Sequence, residues 1–193
     1  MKTFPIPTVW FRLRRLAADM RADRSGIAAT EFAIIVPIML VMFFGTVEFS
    51  SGVAVDRKVT LMARTLSDLT SQSTSVTSAD LTNFFNASRG IMTPYSSTPT
   101  LSTISELYVD ASLNVRVQWS QGSAPRGAGS AVTIPTALKV AGTYLIYSEV
   151  SYRYVPAVGH VMAPAGVNLS DVSCTRPRHS TCVLYGTTVC TTL

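Results

Sequence analysis

The sequence predicts an α+β fold, a long N-terminal transmembrane-to-periplasmic α-helix packed on a small antiparallel β-sheet domain, and three observations predict it. From Phe32 to Val47 there is no charged residue, and with Ile27–Glu31 the run reaches about twenty residues, enough at 1.5 Å per residue to cross a hydrocarbon core of roughly 30 Å. Beyond it Val55, Val59, Met62, Leu66 and Leu69 recur at helical spacing while Asp56, Arg57, Lys58, Arg64 and Asp68 take the other faces. From Leu101 onward the apolar period changes from helical to alternating.

In order, residues 1–26 form a basic leader, with Trp10–Arg24 readable as a short basic helix whose Trp10, Phe11, Leu13 and Leu16 touch the membrane surface. Residues 27–49 form the span and 50–70 extend the same helix outward, giving on the order of 60 Å in all. Pro37 lacks an N–H and clashes with the preceding turn, so a kink or loosened turn is expected there. Residues 71–193 make the outer α+β domain. Thr70–Ser78 reads as a linker, and Thr77 or Ser78 caps a short helix from Ala79 to about Ile91. Leu113, Val115, Val117 and Trp119 alternate as a half-buried strand, with Ile104–Val109 as its antiparallel partner. Thr143–Val155 carries large residues on both faces, as a central strand between the long helix and another layer does. Pro156 to Gly166 reads as loop, and edge strands are expected within Asp171–Arg178 and Val183–Val189.

The charge is lopsided. The chain's net charge is +5, but Lys2, Arg12, Arg14, Arg15, Arg21 and Arg24 sit in the leader against only Asp19 and Asp23, so residues 27–193 are near neutral. Arginines flanking a first apolar span hold that flank in the cytoplasm, which places the C-terminal domain in the periplasm of an inner-membrane, single-pass protein. Topology explains the basic leader, and a near-neutral domain offers no nucleic-acid surface.

Cys174, Cys182 and Cys190 lack the close spacing of a zinc site; one C-terminal disulfide with one cysteine left over is the expectation, against small half-buried thiols. His160 and His179 are the two histidines, Cys174 with His179 is a poor thiol–base pair, and no glycine-rich phosphate loop or hydrolase motif occurs. The expectation is a protein that is not an enzyme, with no metal and no cofactor.

Glu31 lies inside the apolar run, where an unpaired carboxylate costs about 2.5 kcal/mol or more, so a partner is expected for it, the alternative being an acid shallow enough to stay hydrated or protonated. Gly26 at the basic–apolar junction, followed five residues later by Glu31 and then Phe32, resembles the processing site of type IV prepilins. More closely, Gly26 to Phe49, with Pro37 inside the span and Glu48-Phe49 at its far end, is similar to the TadE-like family of pseudopilins. The resemblance implies cleavage between Gly26 and Ile27, subunit pairing through Glu31 and Phe32, and a role in building tight-adherence (Flp) pili. It implies a prepilin peptidase, other pilins and pseudopilins, an inner-membrane assembly platform and the lipid membrane as partners, with incorporation in the pilus as one fate. Two readings compete: a periplasmic binding or scaffold module on an uncleaved anchor, and a secretory signal peptide cut near Gly52-Val53-Ala54.

Overall fold

The computed structural model describes residues 14–16, 18–19, 25–156 and 166–190. Most of the expected leader helix, His160 and most of the expected Pro156–Gly166 loop lie outside them. The chain divides into two compact units, 1–47 and 48–193, and one helix, α1 (Ser25–Ser71), contributes to both.

The first unit contains the apolar half of α1. Its large side chains are exposed, among them Phe32, Ile34, Met42 and Phe43. Thr30 Oγ1 donates to the Ile27 carbonyl and Thr46 Oγ1 to the Met42 carbonyl, both at 2.8 Å. Polar side chains that bond back onto their own helix satisfy the demand that lipid places on every hydroxyl. Pro37 lies within the helix.

In the second unit the rest of α1 packs on a sheet. The elements are β1 (Ser75–Val76), α2 (Ser78–Arg89), β2 (Thr100–Val109), β3 (Val115–Gly122), β4 (Tyr144–Tyr154), β5 (Val167–Thr175) and β6 (Leu184–Tyr185). Strands β2–β5 form an antiparallel sheet in the order β3-β2-β4-β5, and β1 pairs with β6 in parallel. Val55, Val59, Met62 and Leu66 of α1 are fully buried, each contributing about 1.5–3 kcal/mol of transfer free energy. Leu69 is only half-buried, and Thr70 instead closes the buried stripe. Polar pins fix the helix on the sheet: Ser148 Oγ donates to the Ala63 carbonyl at 2.6 Å, and Ser67 Oγ donates to Thr175 Oγ1 at 2.7 Å. Lys58 reaches the Ile91 and Thr93 carbonyls just past α2.

As its two-faced pattern requires, β4 is internal. Ile146, Val150 and Tyr152 face α1, while Leu145 and Tyr147 pack with Val115, Val117, Val132 and Ile134 on the other face. Helix α2 starts with a capping box, in which Thr77 accepts from the Asp80 N–H and Asp80 accepts from the Thr77 N–H.

Four details depart from the sequence expectations. A bulge in the β2–β3 pairing at Glu106/Leu107 makes Gln118 an extra residue, so Trp119 turns to the α1 side while Val115 and Val117 face away. Leu113 is not in the strand; it sits exposed at φ 61° in the turn whose Asp110 carboxylate accepts the Asn114 N–H at 2.8 Å. The first edge strand starts at Val167, before Asp171, because its register with β4 runs from Val167 against Tyr154 to Thr175 against Ile146. Within the expected linker, α1 extends to Ser71 and Val76 is buried beside β6.

Candidate functional site

The residues singled out at the start of the apolar run lie on α1 without tertiary contacts among the described residues that would explain them. A Cβ placed on Gly26 meets nothing within 4 Å, so the packing of this chain does not call for glycine there. Glu31 is exposed and makes no ion pair among the described residues, and Phe32 next to it is 67% exposed. On a helix, the backbone nitrogen of Ile27 and residue 31 are one turn apart, about 6 Å along the axis.

At the far end of the motif the surroundings change. Glu48 accepts a hydrogen bond from Tyr154 Oη of β4 at 3.0 Å. Burial first, and then this bond and the charge of Glu48, push the Tyr154 phenol above its ordinary range. Phe49 points outward, 74% exposed. Glu48, Phe49, Gly52, Tyr154, Val167 and Leu169 border an apolar, open cavity of about 430 Å³.

Cys182 and Cys190 form a disulfide, and Cys174 is free and half-buried. Burial raises the Cys174 thiol, opposite to the shift a nucleophile needs, and His179 beside it in sequence is exposed. Among the described residues no group of three or more His, Cys, Asp or Glu side chains is placed to hold a metal ion.

Sequence reading missed Glu106. It lies in β2, which is buried on both faces, at 2% exposure and accepts the Val183 N–H at 2.5 Å, next to the disulfide at Cys182. Trp119 Nε1 donates to the Val183 carbonyl at 2.8 Å, so sheet and disulfide loop are joined through both backbone polar groups of one residue. Burial pushes the Glu106 carboxyl up to about 7, against the lowering effect of the Val183 and Trp119 hydrogen bonds. The available signal was a glutamate flanked by Ile104, Leu107 and Tyr108 in a run expected to be a strand.

Among the described residues α1 is the one helix long and apolar enough to cross a membrane, which suggests a single-pass membrane anchor on an α+β protein whose sheet follows in sequence. More particularly, residues 26–66 match the family described as TadE-like protein, which points to involvement in tight-adherence pilus assembly. The matched stretch contains Gly26, Glu31, Phe32, Pro37, Glu48 and Phe49 and ends within α1, so the sheet lies beyond it. No curated protein and no solved structure matches the chain.

Proposed function

We infer that this chain is a minor pseudopilin, an assembly component of a tight-adherence (Flp, type IVb-like) pilus, matured by a prepilin peptidase that cuts between Gly26 and Ile27. The observation that carries the reading is the match over residues 26–66, beginning at the glycine of the proposed cut. The exposed apolar half of α1 supports it, since such a surface is stable only in lipid or against other apolar helices. The arginine-rich leader stays cytoplasmic and the sheet domain is periplasmic. The role is non-catalytic: the peptidase acts on this protein, and the assembly platform and other pilins are its partners.

The glycine is the place to test it. Because a Cβ at position 26 meets nothing within 4 Å among the described residues, Gly26→Val is expected to leave their packing undisturbed and to obstruct a protein that closes around the backbone there. Wild-type protein is expected to begin at Ile27 by intact mass, and the variant to remain at precursor length. A wild-type chain that keeps its leader would instead establish the uncleaved anchor module, and a variant that matures normally would remove Gly26 as the site.

Cleavage would create a cationic amine on Ile27, one helical turn from Glu31, and this amine, of the same or a neighbouring subunit, offsets the cost of the carboxylate in lipid. Glu31→Gln keeps the size and removes the charge. It is expected to be cleaved and membrane-resident while co-purifying poorly with other pilin subunits and reducing piliation. Normal pili from the processed variant would end the charge-pairing role.

A further inference from the structure

The sheet domain holds a polar pocket that the pilus reading leaves unused. It lies where the C-terminal end of α2 meets the ends of β2 and β3, has a volume of about 320 Å³, and is bordered by Phe85, Asn86, Arg89, Ser102, Gly122 and Ser123. Its construction is unusual in two respects. The Arg89 Nε–H is buried with no acceptor, and Arg89 makes no ion pair among the described residues. Ser102, 2% exposed, has a buried Oγ that likewise lacks a hydrogen-bond partner. A buried donor or hydroxyl left unpaired is destabilising, so two of them bordering one cavity point to a ligand that pairs both.

Backbone geometry holds the opening in place. Gly122 has φ +135°, and a Cβ there would stand 2.3 Å from the Ser102 carbonyl oxygen, so glycine lets β3 close onto β2 at this point. The Ser123 N–H donates to that same carbonyl at 2.9 Å, and the Ser102 N–H donates to Ser123 Oγ at 3.3 Å. Ser123 therefore keeps its own hydroxyl proton available to the pocket.

We propose that this pocket binds a carboxylate, held in a bidentate fork by the Nε and Nη edge of Arg89 and by the hydroxyls of Ser102 and Ser123. A guanidinium edge matches two carboxylate oxygens. A dianionic phosphate fits less well, because one cation is present and the C-terminal end of α2 carries the negative end of the helix dipole. The carboxylate comes from an acidic side chain, from a chain terminus or from a small free acid.

The full-length protein in detergent micelles, labelled for NMR, is titrated with acetate, N-acetylglutamate α-amide, N-acetylalanine and inorganic phosphate, with sodium chloride at matched ionic strength as control. Saturable shifts of the Gly122 and Ser123 amides and of the Arg89 Nε–H are expected, with a Kd on the order of millimolar for the best carboxylate. The glutamate probe binding best identifies a side-chain source, the alanine probe a chain terminus, and equal binding by acetate a free acid. Arg89→Gln weakens binding by about tenfold or more, and Arg89→Lys, which keeps the charge without the fork, also weakens it. Ser102→Ala serves as a second variant, and thermal unfolding shows that each variant is folded. Shifts no larger than those of chloride, phosphate binding tighter than every carboxylate, or an unchanged Kd in folded Arg89→Gln would each overturn the proposal.

Discussion

The two halves of α1 are built from equally apolar side chains in opposite surroundings. Between Phe32 and Val47 large residues stand exposed on every side of the helix, whereas from Val55 to Leu66 the apolar residues Val55, Val59, Met62, Ala63 and Leu66 fall on one buried stripe and Leu61 alone among the large ones stands outside it. Sequence records the difference in where charge is allowed. The inner half excludes charge for sixteen consecutive positions, which only a solvent without water demands. The outer half places Asp56, Arg57 and Arg64 beside its stripe, as a helix between water and a core does. Helicity is thus common to both halves, and the charge pattern separates a membrane face from a core face.

The comparison breaks most directly by truncating one apolar side chain in each half. Leu66→Ala removes a side chain of zero exposure from the core it shares with Ile104, Trp119 and Ile146, and is expected to cost about 2–5 kcal/mol. Leu40→Ala, in the exposed half, is expected to change the stability of the sheet domain by less than about 0.5 kcal/mol. Urea unfolding in mild detergent, followed by Trp119 fluorescence in a Trp10→Phe background, measures both. Equal losses would show that the two halves are not energetically distinct.

Most of the outer domain was legible because it obeys simple periods. The α1 stripe, the Thr77 cap and the two-faced β4 follow from residue spacing alone. What escaped reading was non-local. The bulge that moves Trp119 to the α1 face depends on pairing with β2, and alternation within β3 carries no sign of it. Strand β5 begins with polar residues such as Asn168 because it is an edge, supported by its register with β4 and less by its own hydrophobicity. For the candidate site, the motif residues could be named in sequence because their unusual feature is chemical, a glutamate in an apolar run. Glu106 and the Arg89 pocket could not, because the first depends on the C-terminal segment at Val183 folding back over β2 and the second on α2 meeting the ends of β2 and β3.

Glu106 sharpens the comparison, since it is an acid buried in protein where Glu31 is an acid in the span. Its folded-state pKa of about 7 lies above the ordinary 4.5, so between those values the native state binds more protons than the unfolded one. Stability therefore falls as pH rises from about 5 to 8, by up to roughly 3 kcal/mol. Asp80 and Asp110 are held below their ordinary 3.8, so the stability they add is lost only in more acidic solution and leaves this window unaffected. Glu106→Gln should flatten the pH dependence of the urea midpoint across pH 5–8 while keeping an acceptor for the Val183 N–H. A slope unchanged in that variant would assign the titration to another group.

A smaller loss than those at Leu66 and Glu106 is expected at the residue where exposure gives way to burial. Glu48 is half-buried, and its bond from Tyr154 Oη joins the first turn of the outer half to the end of β4. Hydrogen bonds to a charged acceptor contribute about 1.5–3 kcal/mol when buried and less near solvent, so Tyr154→Phe is expected to cost about 1 kcal/mol. Glu48 engages other groups besides Tyr154, so Glu48→Gln alone mixes several losses. The double-mutant cycle with Tyr154→Phe isolates the pair, and a coupling of about 0.5–1 kcal/mol in urea unfolding is expected. A coupling near zero would mean that the stripe beginning at Val55 positions α1 by itself, and that Glu48 owes its place in the motif to something outside this chain.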